Sequence, residues 1–331
     1  MDKIDFVVTW VDGGDRNWID KRNKFFKKSE VNKDMNNESR YRDFDIFKYW
    51  FRAVENYAPW VNKIYLITDG QVPSWLNVKN DKLTVIDHKE YIPNEALPTF
   101  NSNSIEVNVH RIRGLSENFV LFNDDTILNN FVKETDFFKN GIPKDIYAES
   151  PIIATKDSID HIMVNNVEII NEFFDKQLFY KKNFTKIFSP KVGSKLLRTI
   201  ALAPSSKFVG FWNSHLPISY NKKTFETVWG KCEKELINTT NNKFRTPYDV
   251  SHWLMRYWQL ASGNYSVGSR IGKVFDLSEQ NIDEAVADIK NSKYKILCLN
   301  DNDNLKEYTQ IKNKLKDVLK IKFKRKSKFE I

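Results

Sequence analysis

The sequence predicts an α/β protein with a mostly parallel sheet flanked by helices, a largely helical insertion and a returning C-terminal strand. In the first half of the chain, short apolar runs alternate with amphipathic stretches, which is typical of parallel strands joined by helices. Four apolar runs also stop at an aspartate or at an Asn-Asp sequence, and they are Ile4–Val11, Lys63–Thr68, Phe119–Phe122 and Tyr294–Leu299. Because open α/β sheets bind ligands outside the carboxyl ends of their strands, we expect a polar, anionic site at that edge.

The other elements follow from apolar spacing and from capping residues. Residues 46–57 place apolar side chains at helical spacing and stop before Pro59. The run from Asn101 to Ser104 offers N-caps for the next helix, and Gly114 offers its C-terminal stop. The predicted helices cover Trp18–Lys28, Ile46–Tyr57, Ile105–Arg113, Ile162–Phe174, Thr224–Leu236 and Asp249–Ala261, and one more short strand covers Leu83–Ile86.

The pattern of the chain changes near residue 151, which divides the predicted fold into parts. Helical patterns dominate from there, and Gly193–Ser214 is expected to be irregular. No Gly-rich phosphate loop occurs, so a phosphate would have to be held in another way. We expect an α/β part at 1–150, a mostly helical insertion at 151–275, a returning strand that completes the sheet at 276–310 and a basic amphipathic tail at 311–331.

Length and composition exclude several classes of protein. The chain has 331 residues, of which 41% are hydrophobic, so it can bury a large core. No stretch approaches the roughly 20 apolar residues of a membrane span, and no signal-peptide pattern opens the chain. We expect a cytoplasmic protein whose two cysteines, Cys232 and Cys298, are reduced and buried thiols.

The positive charge is concentrated at the C-terminus. The chain carries 52 basic and 43 acidic residues, and residues 320–331 hold six basic residues against one glutamate. A nucleic-acid-binding protein is a weak alternative, because its groove would need clustered basic residues with aromatics, whereas the strand ends here are acidic. The tail fits either peripheral contact with an anionic membrane, at the inner face of the plasma membrane, or a solvated and partly disordered end. Apolar residues recur at helical spacing just before it, at Leu305, Tyr308, Ile311, Leu315 and Leu319.

Residues that suit a metal ion and a phosphate occur at strand ends and beside helices. Asn123-Asp124-Asp125 and Asn300-Asp301 supply oxygen ligands of the kind that Mg²⁺ takes beside substrate phosphates. The alternative is structural, because aspartate pairs also form turns. Guanidinium groups bind phosphate with two hydrogen bonds, and the candidates are Arg42, Arg52 and Arg245, with surface ion pairs as the alternative.

Two histidines stand out as candidates for polar roles. His215, in an irregular polar segment between helices, could act as a base near neutral pH. His110 follows Glu106 by four residues, so the two side chains are expected to share a helix face. That pair could be a structural hydrogen bond or a substrate contact.

Several motifs resemble the conserved regions of the Stealth family. Phe6–Gly13 resembles the first region, the surroundings of His161 resemble the third, and Cys298–Asp301 resembles the fourth. The resemblance covers nearly the whole chain in the expected order. The second region is resembled by Tyr49–Val54, Ala58–Val61, Thr68–Leu76, Leu97–Ser102 and Phe122–Asp125.

Members of this family look like sugar-1-phosphate transferases of capsular and exopolysaccharide synthesis in bacteria, and the animal N-acetylglucosamine-1-phosphotransferase is similar. The resemblance implies a UDP-hexose or UDP-N-acetylhexosamine donor, Mg²⁺ or Mn²⁺, and the release of UMP. The acceptor would be an oligosaccharide or a lipid-linked glycan, whose hydroxyl attacks the β-phosphorus that carries the sugar. An ordinary metal-dependent glycosyltransferase, which releases UDP, is the alternative.

The resemblance also assigns roles to the candidate residues. The 1–150 part would bind the nucleotide sugar, and the helical insertion would serve the acceptor and the catalytic base. Arg245 would neutralise charge in the transition state, His215 would take the acceptor proton, and His110 is the second choice for a polar role. The implied metal ligands are Asp124, Asp125, Asn300 and Asp301, and the implied nucleotide contacts are Thr9, Trp10, Asp12, Gly13, Arg52 and Asn101.

Overall fold

The central feature of the fold is a mostly parallel sheet with helices on both faces, which confirms the predicted fold class. The structure is a computed structural model and describes residues 2–26, 35–37, 41–156, 158–301 and 305–331. Within them the strands are β1 (Ile4–Thr9), β2 (Ile64–Thr68), β3 (Leu83–Asp87), β4 (Asn118–Asn123), β5 (Thr126–Leu128), β6 (Phe138–Lys139), β7 (Ile142–Asp145), β8 (Ile218–Asn221), β9 (Ser266–Val267), β10 (Gly272–Asp276) and β11 (Ile296–Asn300). The helices are α1 (Arg16–Phe26), α2 (Phe47–Tyr57), α3 (Ser102–Val107), α4 (Glu134–Phe137), α5 (Asp160–Phe173), α6 (Lys176–Ile187), α7 (Lys195–Leu202), α8 (Lys222–Lys231), α9 (Glu233–Asn241), α10 (Trp253–Ala261), α11 (Ile282–Lys290) and α12 (Tyr308–Lys322).

The main sheet has the strand order β3-β2-β1-β4-β8. β3, β2, β1 and β4 run parallel. Thr9 of β1 lies beside Ile67 of β2 on one side and beside Asn123 of β4 on the other. β8 is antiparallel to β4 and forms the far end of the sheet. The carboxyl ends of β1, β2, β3 and β4 therefore meet at one edge, as the residues after the apolar runs predicted.

Successive side chains of β1 point to opposite faces of the sheet and enter two different cores. Phe6 and Val8 pack with residues of α2, α11 and α12, whereas Val7 packs with residues of α5, α8 and α10. All three side chains are fully buried. The strand is apolar almost throughout because both faces of the sheet are covered.

The returning strand lies in a second sheet. β11 pairs in parallel with β10 and antiparallel with β5, in the order β10-β11-β5. This corrects the expectation that it completes the main sheet, where the place beside β4 is taken by β8. The reason is the turn that follows Asn123, which ends β4 and leads the chain into β5, so that β11 extends from β5 instead. A small third sheet has the order β6-β7-β9.

Other elements depart from the sequence expectation where tertiary contacts override the local pattern. The helix expected over Ile105–Arg113 ends at Val107, and a 3₁₀ turn over Val109–Arg111 follows it. The segment expected to be irregular, Gly193–Ser214, contains α7, and α6 before it was not predicted. The single helix expected after residue 224 is divided into α8 and α9, because Cys232 leaves the helical conformation.

The C-terminal segment packs against the body of the protein. α12 buries Ile311, Leu315 and Leu319 in the core that it shares with α2 and α11, and Phe329 is buried beyond the helix. The apolar residues that predicted an amphipathic tail are therefore covered by protein and do not face solvent. No helix in the described ranges is long and apolar enough to cross a membrane.

Candidate active site

A cleft of about 450 Å³ opens at the carboxyl edge of the main sheet. Its size is typical of a small-molecule site. The predicted site residues that line it are Thr9, Trp10, Asp124, Asp125, Arg245, Asn300 and Asp301. The predicted site residues that lie outside its lining are Asp12, Gly13, Arg52, Asn101, His110 and His215.

One wall of the cleft is the acidic turn between β4 and β5. Asp124 and Asp125 form the turn itself. Because β5 runs antiparallel to β11, the turn lies beside the end of that strand, where the Leu299 amide donates to the Asp125 carbonyl oxygen at 2.8 Å. The pairing of β5 with β11 therefore brings the two predicted acidic motifs together.

The carboxylates of this turn lie in an environment that disfavours their charged forms. Burial raises the pKa of Asp124 well above its usual range, and the carboxylates of Asp125 and Asp43 add to the rise. Burial also raises the pKa of Asp125 to about 6, although a hydrogen bond from the Cys298 thiol partly offsets this rise. A bound cation would lower the pKa of both aspartates, because it stabilises the charged form of a carboxylate.

The second acidic motif is partly engaged in protein contacts. Asp301 accepts two hydrogen bonds from the Arg42 guanidinium, at 2.7 and 2.8 Å. The Asn300 amide nitrogen donates to Asp276 at 2.8 Å. Asp276 also lines the cleft, and sequence reasoning missed it because the short strand β10 was not predicted. Asp301 is therefore less suited to a metal ion than the two aspartates of the turn.

The acidic turn fits a hard cation that substrate oxygens help to hold. Oδ1 of Asp125 is buried and has no hydrogen-bond partner within the described part of the chain. Among the described residues, no three His, Cys, Asp or Glu side chains converge as a ready metal cluster. Mg²⁺ commonly takes only one or two carboxylates together with substrate phosphates and water. The residues present fit that mode, in which Asp124 and Asp125 would be the protein ligands.

Arg245 brings positive charge to the cleft. Its Nη2 donates to the Ser102 hydroxyl at 2.7 Å, while its Nη1 is buried and has no hydrogen-bond partner in the described structure. A buried donor without a partner is costly, because it has lost its water without gaining an acceptor. This nitrogen therefore suits a ligand oxygen, and a guanidinium beside an anion is the common arrangement for phosphate.

Asn101 holds the loop that carries Arg245. Its side chain is fully buried, and its oxygen caps α3 by accepting from the Asn103 amide at 3.1 Å. Its amide nitrogen donates to Asp249 at 2.8 Å and to the Asn242 carbonyl at 3.2 Å. The side chain thus ties α3 to residues 242–249, and its contact with a nucleotide stays a prediction.

We expect Asn101→Ala to lower the free energy of unfolding by about 2 kcal/mol, because the substitution removes a donor from the buried Asp249 carboxylate. Urea denaturation measures this change. Asn17→Ala, at an exposed position of α1, is the matched control and should alter the free energy by less than about 0.5 kcal/mol. Equal, small changes in both variants would show that the Asn101 hydrogen bonds do not hold the loop.

Aromatic side chains form another wall of the cleft. Trp18 lies with its ring centroid 5.2 Å from that of Tyr41 and 5.6 Å from that of Phe100, and all three line the cleft. The indole N–H of Trp10 donates to Asp43 at 3.4 Å. Flat aromatic surfaces of this kind suit the stacking of a nucleobase.

The loop after β1 supports the aromatic wall from outside the cleft. A Cβ on Gly13 would lie 1.9 Å from the carbonyl oxygen of Tyr41, so only glycine allows this close approach. Asp12 lies in an adjoining groove of about 500 Å³, where the Gln71 amide bridges its carbonyl oxygen and the Asp15 carboxylate. The structure thus places Asp12 and Gly13 beside the cleft and not in its lining.

His215 lies at the same edge of the sheet as the acidic turn. β8 is antiparallel to β4 with Ile218 beside Leu121, so the chain before β8 and the chain after β4 leave the sheet on the same side. The His215 ring packs against Trp253 with its centroid at 6.1 Å. Its role as a base stays a prediction, because the side chain lies outside the lining of the cleft.

Arg52 and His110 are engaged in structural contacts outside the cleft. Arg52 donates to the Glu330 carboxylate at 2.7 and 2.6 Å and so fastens the C-terminus to α2. His110 packs beside Trp229 with ring centroids 5.7 Å apart, and burial lowers the pKa of His110 to about 4. The structure thus places both residues outside the cleft with structural partners, and the nucleotide contact of Arg52 and the polar role of His110 stay predictions.

Glu106 is a cleft residue whose role the sequence left open. Its Oε2 lies 3.5 Å from Nε2 of His252, whose Nδ1 lies 2.8 Å from the Tyr220 hydroxyl. Burial raises the pKa of Glu106 to about 7, and the Arg245 charge opposes that rise. The predicted pairing with His110 does not form, because α3 ends before that residue. A carboxyl group that titrates near neutral pH can give or take a proton in the cleft.

Replacing Glu106 by glutamine is expected to change how folding stability depends on pH. The pKa of Glu106 is about 7 in the folded protein against 4.5 for an ordinary glutamate. Below pH 4.5 the carboxyl group is protonated in both the folded and the unfolded protein, and above it the unfolded state ionises first. The free energy of unfolding therefore falls as the pH rises from 4.5 to 7. Relative to Glu106→Gln, the native protein should lose about 3 kcal/mol across this range. Urea denaturation at several pH values measures the difference, and parallel stability curves would contradict it.

Many of the residues that line the cleft fall within two regions that match models of a known family. The family model described as Stealth protein CR1, conserved region 1, matches residues 2–30, and that of Stealth protein CR2, conserved region 2, matches residues 40–145. These matches include the loop after β1, Glu106 and the acidic turn. The resemblance of the first two regions is therefore confirmed.

Bacterial polysaccharide phosphotransferases match the chain over nearly their whole length. The capsular polysaccharide phosphotransferase WcwK of Streptococcus pneumoniae is 47% identical over 332 residues, which cover 100% of this chain and 98% of that protein. The receptor polysaccharide phosphotransferase WefC of Streptococcus oralis is 44% identical, with 94% of each chain covered. The exopolysaccharide phosphotransferase cps2G of Lactiplantibacillus plantarum is 41% identical, with 99% of this chain and 96% of that protein covered. The chain belongs to the Stealth family.

Proposed function

We propose that this Stealth-family phosphotransferase transfers a hexose- or N-acetylhexosamine-1-phosphate from a UDP-sugar to a glycan hydroxyl in the synthesis of a capsular or other cell-surface polysaccharide. The observation that carries the proposal is the composition of the cleft. An acidic turn suited to a cation and a buried guanidinium nitrogen without a partner in the described structure line the same space. A diphosphate is a ligand that can satisfy both.

The nucleotide sugar would lie with its base toward the aromatic wall and its diphosphate toward the acidic turn. Trp18, Tyr41 and Phe100 offer stacking surfaces, and Thr9 and Trp10 line the cleft at the end of β1. Asp124 and Asp125 would hold a Mg²⁺ or Mn²⁺ ion, which neutralises charge on the phosphate oxygens when it is bound. Without a cation, the carboxylates of the turn would repel the diphosphate.

The reaction needs one nucleophilic displacement at the β-phosphorus. The acceptor oxygen forms a bond to that phosphorus, the bond from phosphorus to the bridging oxygen of the α-phosphate breaks, and UMP leaves with that electron pair. The Nη1 of Arg245 would stabilise the negative charge that shifts toward the leaving group. The proton of the acceptor hydroxyl passes to a base, for which His215 at the sheet edge and Glu106 in the cleft are the candidates.

The nucleotide that is released tests this proposal against the glycosyltransferase alternative. The full chain is incubated with Mg²⁺, a panel of UDP-sugars and a capsule-type oligosaccharide, and the nucleotide product is identified by chromatography. We expect UMP in the presence of acceptor, and none after chelation of the metal. UDP as the product would mean attack at the sugar carbon and would refute the transfer of a sugar phosphate.

A further inference from the structure

One continuous part of the helical insertion is basic and contains no acidic residue. Residues 176–225 hold nine lysines and one arginine but no aspartate or glutamate, although the whole chain has 43 acidic residues in 331. This segment comprises α6, α7 and β8. Lys181, Lys182, Lys191 and Arg198 are exposed, and in the described structure none of them forms an ion pair. The charge of these four residues is therefore not paired within the segment, and the acidic residue next to it in the chain, Asp175, caps α6 by accepting from the Leu178 amide at 2.7 Å.

The same segment exposes large apolar side chains. On α7, Leu197 keeps 74% and Ile200 keeps 49% of its surface accessible, and their spacing of three residues places them on one face. Leu178 in the first turn of α6 is also 49% exposed. That turn lies against the end of α7, because Gln177 donates to the Ser205 carbonyl at 3.0 Å and Lys176 donates to the Leu202 carbonyl at 2.7 Å.

We propose that α7 and the first part of α6 form a surface that binds an anionic lipid membrane. A helix that exposes leucine and isoleucine between basic residues can insert the apolar side chains at the level of the headgroups while its cations contact anionic lipids. We name Leu178, Lys181, Lys182, Leu197 and Ile200 the α6–α7 face. This assignment differs from the C-terminal tail, whose helix turns its apolar side chains into the core.

Other occupants of the α6–α7 face fit it less well. A second copy of the chain, placed face to face, would bring two unbalanced positive surfaces together. A polyanionic glycan or a nucleic acid would satisfy the lysines but would leave Leu197 and Ile200 in water. Anionic lipid matches both the charge and the apolar side chains.

The α6–α7 face is connected to the chain that precedes His215. Arg198 donates to the Ser150 hydroxyl at 2.9 Å, and Thr199 accepts from the Glu149 amide at 3.1 Å. The same stretch pairs with the chain that leads to His215, because the Trp212 amide donates to the Ala148 carbonyl at 2.8 Å. Membrane binding would therefore place a lipid surface near the loop before β8. The binding itself does not depend on the proposed chemistry.

Flotation of the full chain with vesicles tests the proposal without substrate. The vesicles contain phosphatidylcholine alone or with phosphatidylglycerol. We expect binding to the anionic vesicles, weaker binding at high salt, and a loss of at least about tenfold in affinity for the double variant Leu197→Ser and Ile200→Ser. Lys181→Glu with Lys182→Glu should weaken binding as well. These positions are exposed, and thermal unfolding at an unchanged temperature confirms that each variant is folded.

Two controls make the result specific. Ile237→Ser replaces a side chain that is 43% exposed on α9, where Glu233 and Glu235 surround it with negative charge. Lys324→Ala with Arg325→Ala removes charge from the C-terminal tail. Both controls should bind as well as the native chain. No binding to anionic vesicles, equal binding by the Leu197 and Ile200 variant, or binding to polyanionic glycan in place of vesicles would each overturn the proposal.

Discussion

Replacement of Asp124 by alanine is expected to reduce sugar-phosphate transfer by at least about 100-fold while leaving the protein at least as stable as the native chain. The loss follows because the acidic turn would keep only one of its two aspartates to hold a cation beside the diphosphate. The stability follows because burial, together with the carboxylates of Asp125 and Asp43, raises the pKa of Asp124, so that its charged form is unfavourable in the protein alone. Residues that cost stability but support activity are typical of functional sites.

The measurement compares turnover and the temperature of unfolding for Asp124→Ala and a matched control. Asp45→Ala removes a carboxylate that lies outside the cleft lining, is 54% exposed and pairs with Lys312. The control should keep nearly all of the activity. If Asp124→Ala stayed folded and retained activity, the acidic turn would not be the cation site, and a lower temperature of unfolding would contradict the expected stability.

Replacement of Arg245 by methionine is expected to reduce turnover by about 100- to 1,000-fold. The variant keeps an unbranched apolar chain of similar length but removes the buried Nη1 that has no hydrogen-bond partner in the described structure. Arg245→Lys should recover only part of the activity. A lysine ammonium group lacks the planar guanidinium, whose two terminal nitrogens can donate to Ser102 and to a phosphate oxygen at the same time.

Kinetics at varied donor concentration and saturating acceptor separate the role of Arg245 in the transition state from a role in donor binding. A fall in kcat at nearly constant KM is expected if the guanidinium acts on charge that develops during transfer. Arg111→Lys is the control, since that arginine lies over the Trp229 ring and outside the cleft lining. A rise in KM alone would contradict the proposed role and would assign Arg245 to ground-state binding.

The location of the site could be predicted from the sequence because it depends on local signals. Apolar runs that stop at Asp124 or at Asn300 require only short-range patterns, and parallel strands place their carboxyl ends at one edge. What the sequence could not provide was the partner of each strand. β5, β8 and β10 are short and carry weak patterns, so the second sheet and the position of Asp276 depend on long-range pairing.

Three of the predicted site residues that lie outside the cleft share a physical feature. Arg52, Asn101 and His110 each have a structural partner that is distant in sequence, such as Glu330 for Arg52. Glu106 shows the opposite case. It lines the cleft, and its partner is His252, which is distant in sequence, in place of His110, because α3 ends before His110 and a helical pattern does not define that end to the residue.

The destination of the β-phosphorus tests the central claim most directly. The full chain is incubated with Mg²⁺, a glycan acceptor and a UDP-sugar that carries ³²P at the β-phosphate. The account predicts that the label moves into the glycan as a phosphodiester and that the released UMP is unlabelled. Asp124→Ala is expected to abolish this transfer. Label that leaves with the nucleotide as UDP, together with an unlabelled glycan product, would contradict it.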